Sequence, residues 1–132
     1  MTAFTVRREV PYTPETVFEW VTDWERHGEA VPLTTITSTS DGFVARTGLG
    51  RIGFDDPMEI VAWDPPRSLR IEKRGRVVTG WAEIELDPTA SGTLVTWREV
   101  AHTAGVPGFL APLERAAGRA LFGRVLDHVL RP

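Results

Sequence analysis

The sequence contains no cysteine, and only one of its 15 basic residues, Lys73, is a lysine. The first absence excludes disulfides, thiol catalysis and cysteine-held zinc or iron–sulfur centres. The second reads as a bias of composition rather than as a sign of mechanism. Histidine is scarce too. His27, His102 and His128 never fall in an HxxxH spacing, so neither a metal nor another cofactor is expected. No apolar run approaches the ~20 residues that a membrane-spanning helix needs. The first residues, MTAFTVRREV, lack the apolar stretch of a signal peptide, and a cytoplasmic location is the expectation. Neither GxSxG nor HExxH occurs. Gly48 to Gly53 has the letters of a dinucleotide loop but lies among strand signals with no helix after it.

The 132 residues fit one domain, 1–132, at 42% hydrophobic and 25% charged. A net charge of −3 argues against nucleic acid as a partner held by bulk charge. The one basic run, Lys73-Arg74-Gly75-Arg76, is expected to be a solvated hairpin tip.

Alternating Phe4, Val6 and Val10 predict a first strand over 3–10. Thr13-Pro14-Glu15 then opens a helix: threonine as cap, proline in the first turn, and a carboxylate at the positive helix end. That helix covers about 14–22, and a second short one is expected over 24–30, ended by Pro32. Strand signals follow over 34–40, 43–47, 51–55, 58–63, 68–74, 77–86 and 93–102, with Asp41-Gly42 as a hairpin signal. Asp55-Asp56-Pro57 is expected to be a loop. Asp64-Pro65-Pro66-Arg67 is a turn, because proline cannot donate to a ladder. From Pro107 or Gly108 to about Leu130 the pattern is one long helix. Its apolar side shifts beyond Gly118, which predicts either a bend or two buried sides at its end. Consecutive hairpins make an antiparallel sheet, and its apolar face needs the long helix as cover.

This order resembles the helix-grip superfamily called SRPBCC, which includes START lipid-transfer domains, the birch pollen allergen group and polyketide cyclase/dehydrase-like proteins. The resemblance covers the whole chain. It rests on Pro14-Glu15-Thr16-Val17-Phe18, on Trp63-Asp64-Pro65-Pro66-Arg67-Ser68-Leu69 and on Gly92-Thr93-Leu94-Val95-Thr96-Trp97. Where relatives often carry a tryptophan before the first long strand, this chain has Ala30-Val31. The resemblance implies an α+β fold: a curved antiparallel sheet of about six to seven strands wrapped around the last helix, with two short helices after the first strand. It also implies a cavity between sheet and helix for a lipid, polyketide or aromatic metabolite.

Alternation then nominates the residues that face such a ligand. On the last strand Val95, Trp97, Glu99 and Ala101 are placed inward, with Thr96 and Arg98 outward. Ala82 and Ile84 come from the strand before it, Ile71 from the next, where Leu69, Ile71 and Lys73 form one set, and Phe54, Met58 and Ile60 from earlier ones. Leu110, Leu113, Ala117 and Leu121 face the sheet from the helix. Small residues such as Gly80, Ala82, Ala101 and Ala117 leave volume unfilled.

Two residues are candidates for acid–base work: Glu99, as a carboxylate in an apolar wall, and His27, by its ordinary pKa near neutrality. An inward Glu99 has Lys73, Arg124 and His128 as possible partners; the preferred expectation is a strand-end residue that reaches solvent or pairs with an arginine. For His27 it is a surface position. The leading functional reading is binding of an apolar or amphipathic molecule. The alternatives are a cyclase- or dehydrase-type enzyme in the same cavity, and an interaction module that forms a homodimer through Phe122, Leu126, Val129 and Leu130.

Overall fold

Thr13 starts the first helix: its hydroxyl accepts the Thr16 amide at 3.3 Å, and Pro14 occupies the first turn. The computed structural model describes residues 2–132. β1 (Thr2–Val10) is followed by α1 (Pro14–Val21) and α2 (Trp24–Glu29). Six strands come next: β2 (Thr34–Ser38), β3 (Gly42–Leu49), β4 (Ile52–Asp64), β5 (Ser68–Arg74), β6 (Val78–Pro88) and β7 (Thr93–Thr103). A 3₁₀ turn at Gly108–Leu110 then leads into α3 (Ala111–Val129). The strands form one antiparallel sheet in the order β1-β7-β6-β5-β4-β3-β2. From β2 onward every neighbour is a hairpin partner, while α1 and α2 carry the chain from one edge of the sheet to the other. This is the helix-grip fold that the order of elements predicts.

One expected loop is absent. β4 runs unbroken through Asp55-Asp56-Pro57. At Pro57 the strand is paired only with β3, because pairing to β5 begins at Met58. Proline lacks an N–H and is tolerated where one side of a strand is unpaired. The alternation of β4 therefore continues through the pair. Asp55 points out, 3.1 Å from Arg46, and Asp56 is buried on the inner face.

The inner face is filled at one end and open at the other. At the filled end α1 lies over β6 and packs on α3, which runs along β1. There Val17, Val21, Ile84, Leu86, Val95, Leu126 and Val129 are fully buried. α3 is continuous, and of the two expected outcomes the second holds: its buried arc widens toward the C-terminus, with Gly123, Val125, Leu126 and Val129 all inside. Gly118 brings the helix against β1, since a Cβ there would lie 2.8 Å from the Phe4 ring. Thr96 was expected on the solvent face. It does lie on the outer side, but between Arg7 of β1 and Glu85 of β6 on a central strand it is buried.

Gly80 shapes the open end. Its φ of 133° lies where side chains are rarely found, and a Cβ would stand 1.9 Å from the Val100 carbonyl oxygen. Gly80→Ala should cost roughly 3 kcal/mol or more, read as a drop in urea midpoint, because neither the strand nor its partner can yield locally. An unchanged midpoint would mean that this kink is not needed.

Candidate functional site

Beneath the first turns of α3 the sheet faces a cavity of about 400 Å³. The helix presents one stripe to it: Glu114, Ala117, Gly118, Leu121, Phe122 and Val125, at the i, i+3, i+4 spacing of a single face. Ala117 at its centre leaves space that a larger side chain would fill, while Gly118 lets the helix close on Phe4. Of the residues nominated from sequence, Phe54, Met58, Ile71, Ala82, Trp97, Glu99, Ala117 and Leu121 line the cavity, as does His27.

Five nominated residues lie elsewhere. Ile84 and Val95 have the expected orientation but sit at the filled end, under α1 and the end of α3. Ile60 packs against the core beside a register shift in β4, between Ile60 and Ala62, and stops short of the cavity. Leu110 belongs to the 3₁₀ turn, whose 120° per residue breaks the helical phase, and Leu113 is 66% exposed. The true stripe begins one residue later, at Glu114. Alternation on β3 would have found Phe43, Ala45 and Thr47, and that on β1 would have found Phe4. Alternation on β2 would have found Thr34 and Ile36, whereas Trp24 carries no such signal, because α2 is too short to define a face.

The polar side of the cavity comes from three strands. Leu69, Ile71 and Lys73 alternate inward along β5, so the lone lysine is not at a solvated tip. It is 7% exposed. Pairing sets Lys73 beside Gly80, Gly80 beside Ala101, and Ala82 beside Glu99. These small residues make room for the long ones. Lys73 Nζ stands 3.9 Å from Glu99 Oε2 and 5.6 Å from the centre of the Phe122 ring.

Glu99 is 2% exposed, which overturns the expectation of a solvent-reaching residue or an arginine partner. The Trp97 indole N–H donates to its Oε1 at 3.1 Å. Burial pushes the Glu99 pKa up, against the opposing pull of Lys73 and the Trp97 hydrogen bond; the charge of Asp56 adds to the rise. Asp56 is raised as well, by burial first, with Lys73 opposing. Its Oδ1 has no hydrogen-bond partner among the described residues. Burial thus disfavours the ionised form of both acids, and at Asp56 no donor to Oδ1 offsets it among the described residues.

His27 is also inside. Its ring lies 5.2 Å from that of Trp24 and 5.7 Å from that of Trp97, and its Nε2–H donates to the Val21 carbonyl at 2.8 Å. Burial lowers its pKa to about 4. It is therefore a neutral imidazole, too weak a base for the role its ordinary pKa suggests. His128 pairs instead with Glu29 at 2.9 Å. The four residues offered as a dimer face are turned inward: Leu126, Val129 and Leu130 are buried, and Phe122 packs on Phe4 and Trp97.

Residues 1–131 match the family model described as polyketide cyclase / dehydrase and lipid transport. The chain belongs to that family. Among curated proteins none matches it in sequence. Solved structures share its fold at low identity. Mll3558 of Rhizobium loti is 20% identical, with 96% of each chain covered and a TM-score of 0.72. CV1439 of Chromobacterium violaceum is 11% identical, covering 98% of this chain and 95% of its own, with a TM-score of 0.73. Ara h 8.0201 is 14% identical, with 97% of each chain covered and a TM-score of 0.67. The family and the fold together make this a scaffold for hydrophobic ligands. Among the described residues no helix is long and apolar enough to cross a membrane.

Proposed function

We propose that this member of the family binds an amphipathic small molecule, its apolar body held between the sheet and the first turns of α3. One observation carries the reading: a cavity of about 400 Å³ with a mainly apolar lining and one buried polar side made by Asp56, Lys73 and Glu99. A space with apolar walls and a few convergent polar groups is the usual form of a small-molecule site. The family description, which includes lipid transport, supports it. Native mass spectrometry of the purified protein, followed by thermal shifts against aromatic polyketides, fatty acids and sterols, tests it. Co-purified mass, or a shift that grows with ligand concentration, is expected. No bound mass and no shift across the panel would overturn the reading.

A second reading is favoured by one specific feature. Glu99 is a buried carboxyl with a raised pKa beside an ammonium, an environment suited to proton transfer. Under it the protein is a cyclase- or dehydrase-type enzyme, and Glu99→Gln should keep ligand binding while abolishing turnover of any polyketide found to bind. Equal turnover by the variant would remove Glu99 from that role.

A further inference from the structure

The Lys73 side chain is buried, and among the described residues its ammonium makes no hydrogen bond. It carries three N–H donors. Among the described residues its one ion-pair partner is Glu99 Oε2, at 3.9 Å and beyond hydrogen-bond reach; it also faces the Phe122 ring, and its charge acts on Asp56. A buried cation without acceptors is costly, and native proteins rarely leave one so. Lys73 lines the cavity, so its free donors have one place from which to draw an acceptor, the cavity's occupant.

We infer that Lys73 is the anchor of the ligand's polar end, and that the cavity selects apolar molecules ending in a hydrogen-bond acceptor oxygen, a carbonyl or a carboxylate, over those ending in an amine. The inference rests on the cavity-binding reading above and narrows its ligand class. The neighbours support the sign. Glu99 Oε1 already accepts from Trp97, and burial raises the pKa of both Glu99 and Asp56, so that their charged forms, which would repel an incoming oxygen, are disfavoured. An ammonium ligand would meet the like charge of Lys73 instead. Phe122 and Ala82, beside Lys73 and Glu99, provide the apolar surface for the carbons next to that oxygen.

The test uses four probes with one ring body: ethylnaphthalene, methyl naphthyl ketone, naphthoate and naphthylethylamine, titrated by calorimetry into the full chain. The ketone, the carboxylate or both should bind roughly tenfold to a hundredfold more tightly than ethylnaphthalene, as a hydrogen bond from a charged donor provides, and the amine most weakly. Preference for the ketone alone assigns a neutral carbonyl, and preference for naphthoate alone assigns an anion. Lys73→Met should erase the preference, so that ketone and carboxylate bind no more tightly than ethylnaphthalene. Because Lys73 is the only lysine, protein labelled with isotopic lysine carries one side-chain signal that reports on the site without any substitution. That signal should move with the ketone or naphthoate and much less with ethylnaphthalene. If the hydrocarbon, ketone and carboxylate bind alike, or the variant keeps the preference, the role of Lys73 is overturned while the cavity stands. If no probe binds, both fall.

Discussion

Acidification from pH 7 to pH 4 should remove about 3 kcal/mol of stability through His27 alone. In the folded chain its pKa lies at about 4 against an ordinary 6.5, and each unit is worth about 1.4 kcal/mol. Below pH 6.5 the unfolded chain takes up a proton that the folded chain refuses. The stabilising contribution is thus complete above 6.5, falls as pH falls, and is gone near 4. Asp56 and Glu99 act in the opposite sense. Their raised pKa values penalise the fold at high pH, and the penalty is relieved as they protonate. A difference experiment separates the two. His27→Gln keeps an N–H donor for the Val21 carbonyl but does not titrate. Urea unfolding of both proteins across this range should give curves that diverge by about 3 kcal/mol, the wild type losing more. Parallel curves would show that His27 is not held as a buried neutral ring.

Ala82→Leu should abolish ligand binding, by at least tenfold in affinity, and leave stability within about 1 kcal/mol. Ala82 is buried, faces Ile71 on one neighbouring strand and Glu99 on the other, and lines the cavity. A larger side chain there enters empty space. Were the site close-packed instead, the same change would force its neighbours apart and cost about 1–3 kcal/mol. Titration with whichever compound the thermal-shift screen identifies, together with a urea midpoint, distinguishes the two. Ala117→Leu, from the opposite wall, should repeat the result. If binding survives in both variants, the ligand lies somewhere other than between sheet and helix.

Much of the inner face was legible because alternation is a local property. Trp97, Glu99, Ala82 and Ile71 follow from counting by twos along their own strands. Errors arose where a residue's setting depends on something beyond its strand. Pro57 suggested a loop, but one unpaired side lets β4 accommodate it, and so Asp56 was missed as an inward carboxylate. The helical face was read from Leu110 and Leu113, and the 3₁₀ turn broke that phase.

The sequence by itself determined the order of elements, the chain of hairpins, the capped first helix and the exclusion of thiol chemistry. Each rests on residues close together in the chain or on their absence. Only the tertiary structure decided which end of the inner face is packed and which is empty, because α1 and the end of α3 cover one and α3's small residues spare the other. It alone brought Asp56, Lys73 and Glu99 together. These residues stand on three different strands, and their meeting depends on the register of each hairpin and on the kink at Gly80. Periodicity along a strand carries none of that information. For the same reason a lone lysine that looked like a bias of composition stands instead inside the cavity.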